Sequence, residues 1–332
     1  SIIIPVYNMK EWVESGIKCI TEQTYENLEI IIVDDGSKDN SYMKCLAEAD
    51  KDRRIAVFSK NNEGPGAARN LALRKATGDY IYFFDIDDYL EKNAIEKFVR
   101  YMENENTDLV VCSFSMFDGE KVFRTVKKAD GLKRTGGDAR KDYYEHMFMY
   151  GERGIQGAAW FKLYKTDIIR KNGIEFPKLR KSEDDVFVAR YVNCIDSFYM
   201  TGDVLCRYYV NSYKRFWDKY RFDIFDTSRQ STMYVKDIVL SWNRNNKDVL
   251  QRIYDDYFHK TFGSFCFLFN PNLKLNRKAR YARLKEITDI FMDDISCDGI
   301  EINHPIFKCM KKKNYRAIYV RIVLHIWKHK FD

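Results

Sequence analysis

Tyr80-Ile81-Tyr82-Phe83-Phe84-Asp85-Ile86-Asp87-Asp88 is the stretch whose reading decides the fold. Its aromatic and β-branched run is too short for a helix face and reads as a buried strand. The strand stops abruptly in acids. In α/β proteins ligands bind outside the carboxyl ends of parallel strands, so acids at such an end are candidates for chemistry. Asp85 and Asp87, one residue apart, can share a hard divalent cation with oxygens from a nucleotide diphosphate. The alternative is local: Asp87 or Asp88 caps a following helix.

Working outward, similar apolar runs recur. Ile2-Ile3-Ile4-Pro5-Val6, Leu28-Glu29-Ile30-Ile31-Ile32-Val33, Ile55-Ala56-Val57-Phe58 and Leu109-Val110-Val111-Cys112 all read as buried strands. Helices are expected between them over 10–23, 41–50, 66–75 and 93–103. Alternating strands and helices with short links predict an α/β fold with a doubly wound, mostly parallel, Rossmann-like sheet. Residues 126–142 are polar and contain glycine, which predicts a loop or lid. From Tyr143 onward helices are expected to dominate, with breaks near Pro177 and at Asn270-Pro271-Asn272. The expected division is a nucleotide-binding α/β domain over 1–215 and a mostly helical region over 216–332.

Three other polar clusters could carry chemistry. Asp34-Asp35-Gly36-Ser37 ends the second strand, where a carboxylate can accept from a base N–H or a ribose hydroxyl and glycine admits a close backbone. A plain turn before a helix is the alternative there. Asn61-Asn62-Glu63-Gly64-Pro65-Gly66-Ala67-Ala68-Arg69-Asn70 is a loop entering a small-residue helix, whose start and Arg69 could face phosphate. Ser182-Glu183-Asp184-Asp185 offers a carboxylate base for an acceptor hydroxyl. Its alternative is a Ser182 cap with acids in the first helical turn.

Composition narrows the class. Of 332 residues 45% are hydrophobic, enough for a real core. Aromatics reach 15% and concentrate after residue 143, as a sugar- or lipid-handling surface or helical core packing would require. Eight cysteines without a CxxC pair suit reduced thiols and a cytoplasmic location. No apolar run is long enough to span a bilayer, and no signal peptide is read. Ser1 already lies inside an apolar strand, which points to residues lost upstream. Gly-x-Ser-x-Gly, P-loop and Gly-x-Gly-x-x-Gly motifs are absent, and the five histidines (only His325 and His329, on the basic tail, stand at i, i+4) suggest no metal site.

The net charge of +7 is concentrated in residues 308–332, which hold eight Lys or Arg and one acid. The rest of the chain is therefore neutral, which argues against nucleic acid as a partner. Within the tail Tyr315, Ile318, Tyr319, Ile322, Val323, Ile326 and Trp327 recur at helical spacing. Such a basic amphipathic helix fits peripheral contact with an anionic membrane, or packing on the protein with a solvated basic side.

Taken together, Ser1-Ile2-Ile3-Ile4-Pro5-Val6-Tyr7-Asn8, Val33-Asp34-Asp35-Gly36-Ser37, Asn62 to Asn70 and Phe84-Asp85-Ile86-Asp87-Asp88 resemble the family 2 inverting glycosyltransferases of GT-A fold. Ala159-Trp160-Phe161-Lys162-Leu163-Tyr164-Lys165, Asn172-Gly173-Ile174-Glu175-Phe176-Pro177 and Glu183-Asp184-Asp185-Val186-Phe187 resemble its bacterial capsular and exopolysaccharide branch. The resemblance covers residues 1–215. It implies that Pro5, Tyr7, Asp34, Asp35, Arg69, Asp85 and Ile86 line the nucleotide site, with Asp34 on the base and Asp85 on the ribose. It implies that Asp87 holds Mn²⁺ or Mg²⁺ on the diphosphate and that Asp184 is the general base, with Asp185 one residue away as the alternative. Lys214 and Arg215 would be basic groups near the diphosphate. The Gln-x-x-Arg-Trp motif and membrane spans of processive synthases are missing, which favours single-sugar transfer.

The expected reaction is inverting transfer from a UDP-sugar to a hydroxyl of a lipid-linked bacterial surface glycan, at the inner face of the plasma membrane. A sugar nucleotidyltransferase is the enzymatic rival, although Pro5-Val6-Tyr7-Asn8 is not its Gly-rich basic loop. A non-catalytic nucleotide-binding scaffold is the other rival, against which the intact acids stand. The sugar, acceptor, linkage and oligomeric state are left open.

Overall fold

Short apolar strands that end in polar residues align best when their carboxyl ends lie side by side, and the parallel half of the sheet does this. In the computed structural model, β1 (Ile2–Val6), β2 (Ile30–Asp34), β3 (Ile55–Ser59) and β4 (Tyr80–Phe83) pair in parallel in the order β3-β2-β1-β4. Val6 lies opposite Asp34, and Asp34 opposite Ser59, so the polar ends share one edge. The crossovers are α1 (Val13–Thr21), α2 (Ser41–Ala49) and α3 (Pro65–Lys75). Residues 1–137, 139–150, 157–179, 182–210, 223–242, 247–296 and 299–329 are described. They form two units, Ser1–Asn211 and Ser212–Asp332.

Beyond β4 the sheet becomes mixed. β5 (Tyr89–Leu90), α4 (Ala94–Asn104), β6 (Leu109–Phe117), β7 (Val122–Val126) and β8 (Leu132–Thr135) are followed by α5 (Ala139–Tyr150). Then come β9 (Lys162–Lys165), α6 (Thr166–Lys171), α7 (Glu183–Val192) and β10 (Ser197–Tyr209). The full order is β3-β2-β1-β4-β9-β6-β10-β5, with β7 on β6 and β8 on β10. β9 runs antiparallel between β4 and β6.

Several expectations need correction. The segment expected as a loop or lid contains β8, an edge strand whose Leu132-Lys133-Arg134-Thr135 has no apolar run to betray it. Strands persist past Tyr143, because the apolar residues of β10 are interrupted by Thr201-Gly202-Asp203 where its register with β6 shifts. Asp85–Asp88 is a turn closed by the Asp88 N–H on the Asp85 carbonyl, and β5 follows it. The next helix starts at Ala94, so neither Asp87 nor Asp88 caps it. The first helix is shorter than the expected 10–23.

The second unit is helical, as expected: α8 (Ile224–Trp242), α9 (Lys247–Phe267), α10 (Arg277–Ile295), α11 (Pro305–Lys311) and α12 (Tyr315–His329). Asn270-Pro271-Asn272 breaks the pattern, with the Asn270 side chain accepting from the Asn272 N–H. The aromatic enrichment is largely core packing: Tyr254, Tyr257, Phe258, Phe291 and Phe307 share one cluster. Ile318 and Ile322 of α12 are fully buried in that cluster, so the tail's apolar residues do not form one outward stripe. The described cysteines are free thiols. Among the described residues, no helix is long and apolar enough to cross a membrane.

One glycine ties this scaffold to the acidic turn. A Cβ on Gly16 would sit 2.3 Å from the Ile86 carbonyl oxygen, so α1 rests directly on the turn after β4. Gly16→Ala is expected to destabilise the protein by about 1–3 kcal/mol through overpacking. Gly263→Ala, where a Cβ meets open space, should instead stabilise by roughly 0.5–1 kcal/mol. Urea midpoints of the two variants check this; equal effects would contradict the close approach of α1.

Candidate active site

The carboxyl edge of β1, β2 and β4 is shaped by local hydrogen bonds. Asn8 takes a left-handed conformation (φ 54°) just after β1. Its side-chain oxygen accepts from the Lys38 N–H at 2.8 Å, and its own N–H donates to Ser37 Oγ at 3.0 Å. Tyr7 is exposed and Pro5 half-buried beside it. Asp34 is buried, and its Oδ2 accepts from the amides of Gly36 and Ser37 at 3.2 and 3.1 Å. Among the described residues nothing hydrogen-bonds its buried Oδ1. A buried carboxylate oxygen without a donor is costly, and this one can accept an N–H or O–H.

Asp35 is engaged within the chain. Its Oδ1 accepts from Lys60 Nζ and the Glu63 N–H, both at 3.1 Å, and its Oδ2 from the Gly64 N–H at 2.8 Å. It therefore shapes the loop leading into α3. That helix begins at Pro65, after Gly64 at φ 98°. A Cβ on Gly66 would lie 3.1 Å from both Glu183 Cγ and Phe176 Cβ, so a small residue lets α3 approach α7 closely.

Arg69 and Asn70 complete that approach. Arg69 Nη1 donates to Glu183 Oε1 at 3.0 Å and to Asp184 Oδ1 at 2.9 Å, and Nη2 donates to Asp85 Oδ1 at 2.9 Å. The guanidinium is thus taken up by three carboxylates and does not stand open to phosphate. Asn70 exchanges two hydrogen bonds with the Phe176 backbone, at 2.9 and 2.8 Å. Phe176 stacks on Phe187 of α7 (4.1 Å between centroids), and both meet Phe83 of β4 edge-on. These rings form the floor on which the charged cluster rests.

α7 places its first-turn acids at this edge. Ser182 sits before it in a left-handed conformation and makes no capping hydrogen bond, so the simple capping reading fails. Asp184 Oδ2 accepts from the Ala159 N–H at 3.2 Å. Asp185 points elsewhere, against Gly157, where a Cβ would clash with its carboxylate. Lys162 is fully buried and donates to the Ala158 carbonyl, bracing the peptide whose N–H reaches Asp184. Asp88 is likewise buried and accepts from the Tyr209 N–H, which fastens the end of β10 to the acidic turn.

Electrostatics follow from one cation among three acids. Burial opposes the Arg69 charge, but Asp184, Asp85 and Glu183 outweigh it and hold the guanidinium firmly protonated. Burial and the Asp184 charge push the Glu183 carboxyl up to about 7, against Arg69. Burial also raises Asp184, opposed by Arg69 and assisted by Asp85. Burial, with the charge of Lys128, pushes the Lys162 ammonium down.

The fold thus brings Asp34, Asp85, Asp87 and Asp184 to one edge, with Arg69 bonded to Asp85 and Asp184. Ile86 is buried, turned beneath α1. Lys214 and Arg215 lie outside the described residues. Sequence reading gave no role to Asn70, Lys60 or Lys162, although all three stand in or beside the quoted motifs. Among the described residues, no three His, Cys, Asp or Glu converge into a metal site made by protein alone. Asp85 and Asp87 are a partial set of hard oxygen donors, which suits a cation that keeps water and takes further oxygens from a diphosphate.

The sequence model of the family described as Glycosyl transferase family 2 matches residues 1–171. Putative glycosyltransferase EpsH of Bacillus subtilis is 33% identical over 193 residues, 57% of this chain and 54% of that protein. A poly(ribitol-phosphate) beta-glucosyltransferase of Bacillus spizizenii is 30% identical over 192 residues, 56% of this chain and 28% of that protein. The matches thus span about half or less of these relatives' lengths. The crystal structure of S. aureus TarS 1–349 in complex with UDP-GlcNAc superimposes with a TM-score of 0.66 at 16% identity, covering 99% of this chain and 91% of that one. Mannosyltransferase PcManGT of Pyrobaculum calidifontis, in complex with GDP-Man and Mn²⁺, gives 0.55 at 16% identity, with 97% and 85% covered. These two likenesses establish the fold, a GT-A arrangement with C-terminal helices.

The raised Glu183 carboxyl makes stability depend on pH. Between the ordinary glutamate range and about 7 the folded state holds a proton that the unfolded chain has released. This contribution is full at low pH and is lost as pH rises through about 7. Glu183→Gln is therefore expected to remove part of the fall in urea midpoint between roughly pH 5 and 8. Coincident pH slopes for the two proteins would rule out a protonated Glu183.

Proposed function

The chain belongs to glycosyl transferase family 2, and on that premise we propose that it moves a single sugar, with inversion, from a UDP-sugar to a hydroxyl of a bacterial surface-glycan acceptor carried on lipid. The observation that carries this reading is Arg69, which bonds Asp85 on the donor side and Asp184 on the acceptor side at once. The UDP-GlcNAc complex of TarS and the poly(ribitol-phosphate) in the name of the Bacillus spizizenii relative support the donor and acceptor classes.

In this mechanism the buried Asp34 Oδ1 accepts an N–H from the base, while the Gly36 and Ser37 amides fix the other oxygen. Tyr7 and Pro5 flank the nucleotide, and Asp85 receives a ribose hydroxyl. Asp87, with Asp85 nearby, would hold Mn²⁺ or Mg²⁺. When bound, that cation offsets the charge growing on the diphosphate leaving group. Asp184 is held through Oδ1 by Arg69 and through Oδ2 by the Ala159 N–H, yet stays partly exposed. Its raised affinity for protons suits it to take the hydroxyl proton as the acceptor oxygen attacks the anomeric carbon opposite the departing UDP. Asp185, against Gly157, is less well placed than Asp184 for that task. With a lipid-linked acceptor, the reaction would take place at the inner face of the plasma membrane.

Thermal-shift titration with UDP and GDP, each with and without Mn²⁺, tests the donor site. Stabilisation by UDP that requires metal is expected; a GDP preference would overturn the donor. Asp184→Asn should lower transfer by roughly 10²–10⁴-fold while leaving the UDP response intact. The acidic limb of the wild-type kcat/KM profile should lie above the ordinary aspartate range, because burial, Asp85 and Asp185 oppose the ionised form more than Arg69 favours it. Transfer at full rate by Asp184→Asn would remove Asp184 as the base.

A further inference from the structure

We propose that the outer face of α12 is a docking surface for an anionic lipid bilayer. The helix carries two apolar stripes. Ile318 and Ile322 are fully buried, and Tyr315, Tyr319 and Ile326 pack partly beside them in the core of the second unit. On the other side Val320, Val323, Leu324 and Trp327 are 54%, 40%, 57% and 66% exposed. Their spacing of three and four residues puts them on one face of the helix. A helix that only packs on its own domain gains nothing from large apolar side chains on its solvent face. The residues expected from sequence to meet a membrane are thus mostly the buried ones, and Val320 and Leu324 take their place.

Charge selects the occupant. Arg316 stands one turn before Val320, and Arg321 and Lys328 flank the stripe; all three are exposed. Lys308, Lys311, Lys312 and Lys313 precede them, and residues 308–329 contain no acid. A second copy of this face would press like charges together, which opposes a dimer through it. An anionic headgroup layer accepts both features: the apolar stripe enters the interface, and the basic side chains reach the phosphates from its margins. Trp327 near the end of the stripe suits that boundary. This inference rests on α12 and not on the donor or base assignments.

Flotation of the full chain with phosphatidylcholine vesicles, with and without phosphatidylglycerol, tests it. Binding is expected to the anionic vesicles, to weaken in high salt and to be slight on phosphatidylcholine alone. Two surface variants divide the cause. V320S/L324S/W327S and R316Q/R321Q/K328Q should each weaken binding by ~10-fold or more while keeping the wild-type melting temperature. Should the first variant fail to fold, the second still decides on charge and salt dependence. The proposal is overturned by a folded wild type that ignores anionic vesicles, by equal binding to both lipids, or by unchanged binding of a folded variant. A dimer that V320S/L324S/W327S converts to monomer would assign the stripe to a second copy and also overturn it.

Discussion

A guanidinium buried among three carboxylates is the constraint on which the first unit depends. A buried charge is tolerated only when paired with good geometry, and Arg69 makes a hydrogen bond of about 3 Å to each of Asp85, Glu183 and Asp184. Those partners come from the end of β4 and the start of α7, while Arg69 belongs to α3. The three elements must therefore meet at one point. Gly66 permits the approach, Asn70 locks Phe176 against α3, and the stacked Phe176 and Phe187 give α7 its seat. Burial and the Asp184 charge raise the Glu183 carboxyl against Arg69, so Glu183 takes up a proton more readily than an ordinary glutamate. Burial, assisted by Asp85 and opposed by Arg69, gives Asp184 a stronger grip on protons.

The chemistry follows from where the cluster sits. Parallel strands and the turn after β4 place Asp34, Asp85 and Asp87 on one edge, and α7 delivers Asp184 to that edge from a distant part of the chain. Asp85 and Asp184 then share one counter-ion, which fixes their spacing. A preorganised arrangement of this kind lowers the entropic part of the barrier to displacement. The Ala159 N–H holds the second oxygen of Asp184, and Lys162 braces that peptide through the Ala158 carbonyl.

Much of this was legible in the sequence because the first four strands are short apolar runs that end in acids, a pattern governed by local burial. Asp34 and Asp85 could be singled out for the same reason, whereas Asp184, in the first turn of a helix, was singled out through the family resemblance. Partners far apart in sequence could not: nothing local in Arg69 or Asn70 announces Glu183, Asp184 or Phe176, which lie more than a hundred residues away. Asp35 looked equivalent to Asp34, yet the loop at Gly64 claims it. β8 was hidden by its polar edge position and β10 by its interrupted apolar pattern. In α12 the helical period was readable, but its division into a buried and an exposed stripe depends on the core it meets.

A double-mutant cycle between Arg69 and Asp184 tests the shared counter-ion most directly. Unfolding free energies of wild type, Arg69→Met, Asp184→Asn and the double variant would be compared at neutral pH. If Arg69 is the ion that holds Asp184, the single effects will not add, and the coupling will be about 1–3 kcal/mol. Additivity within about 0.5 kcal/mol would mean that the two groups do not support each other. The link between Asp85 and Asp184 through Arg69 would then have to be abandoned.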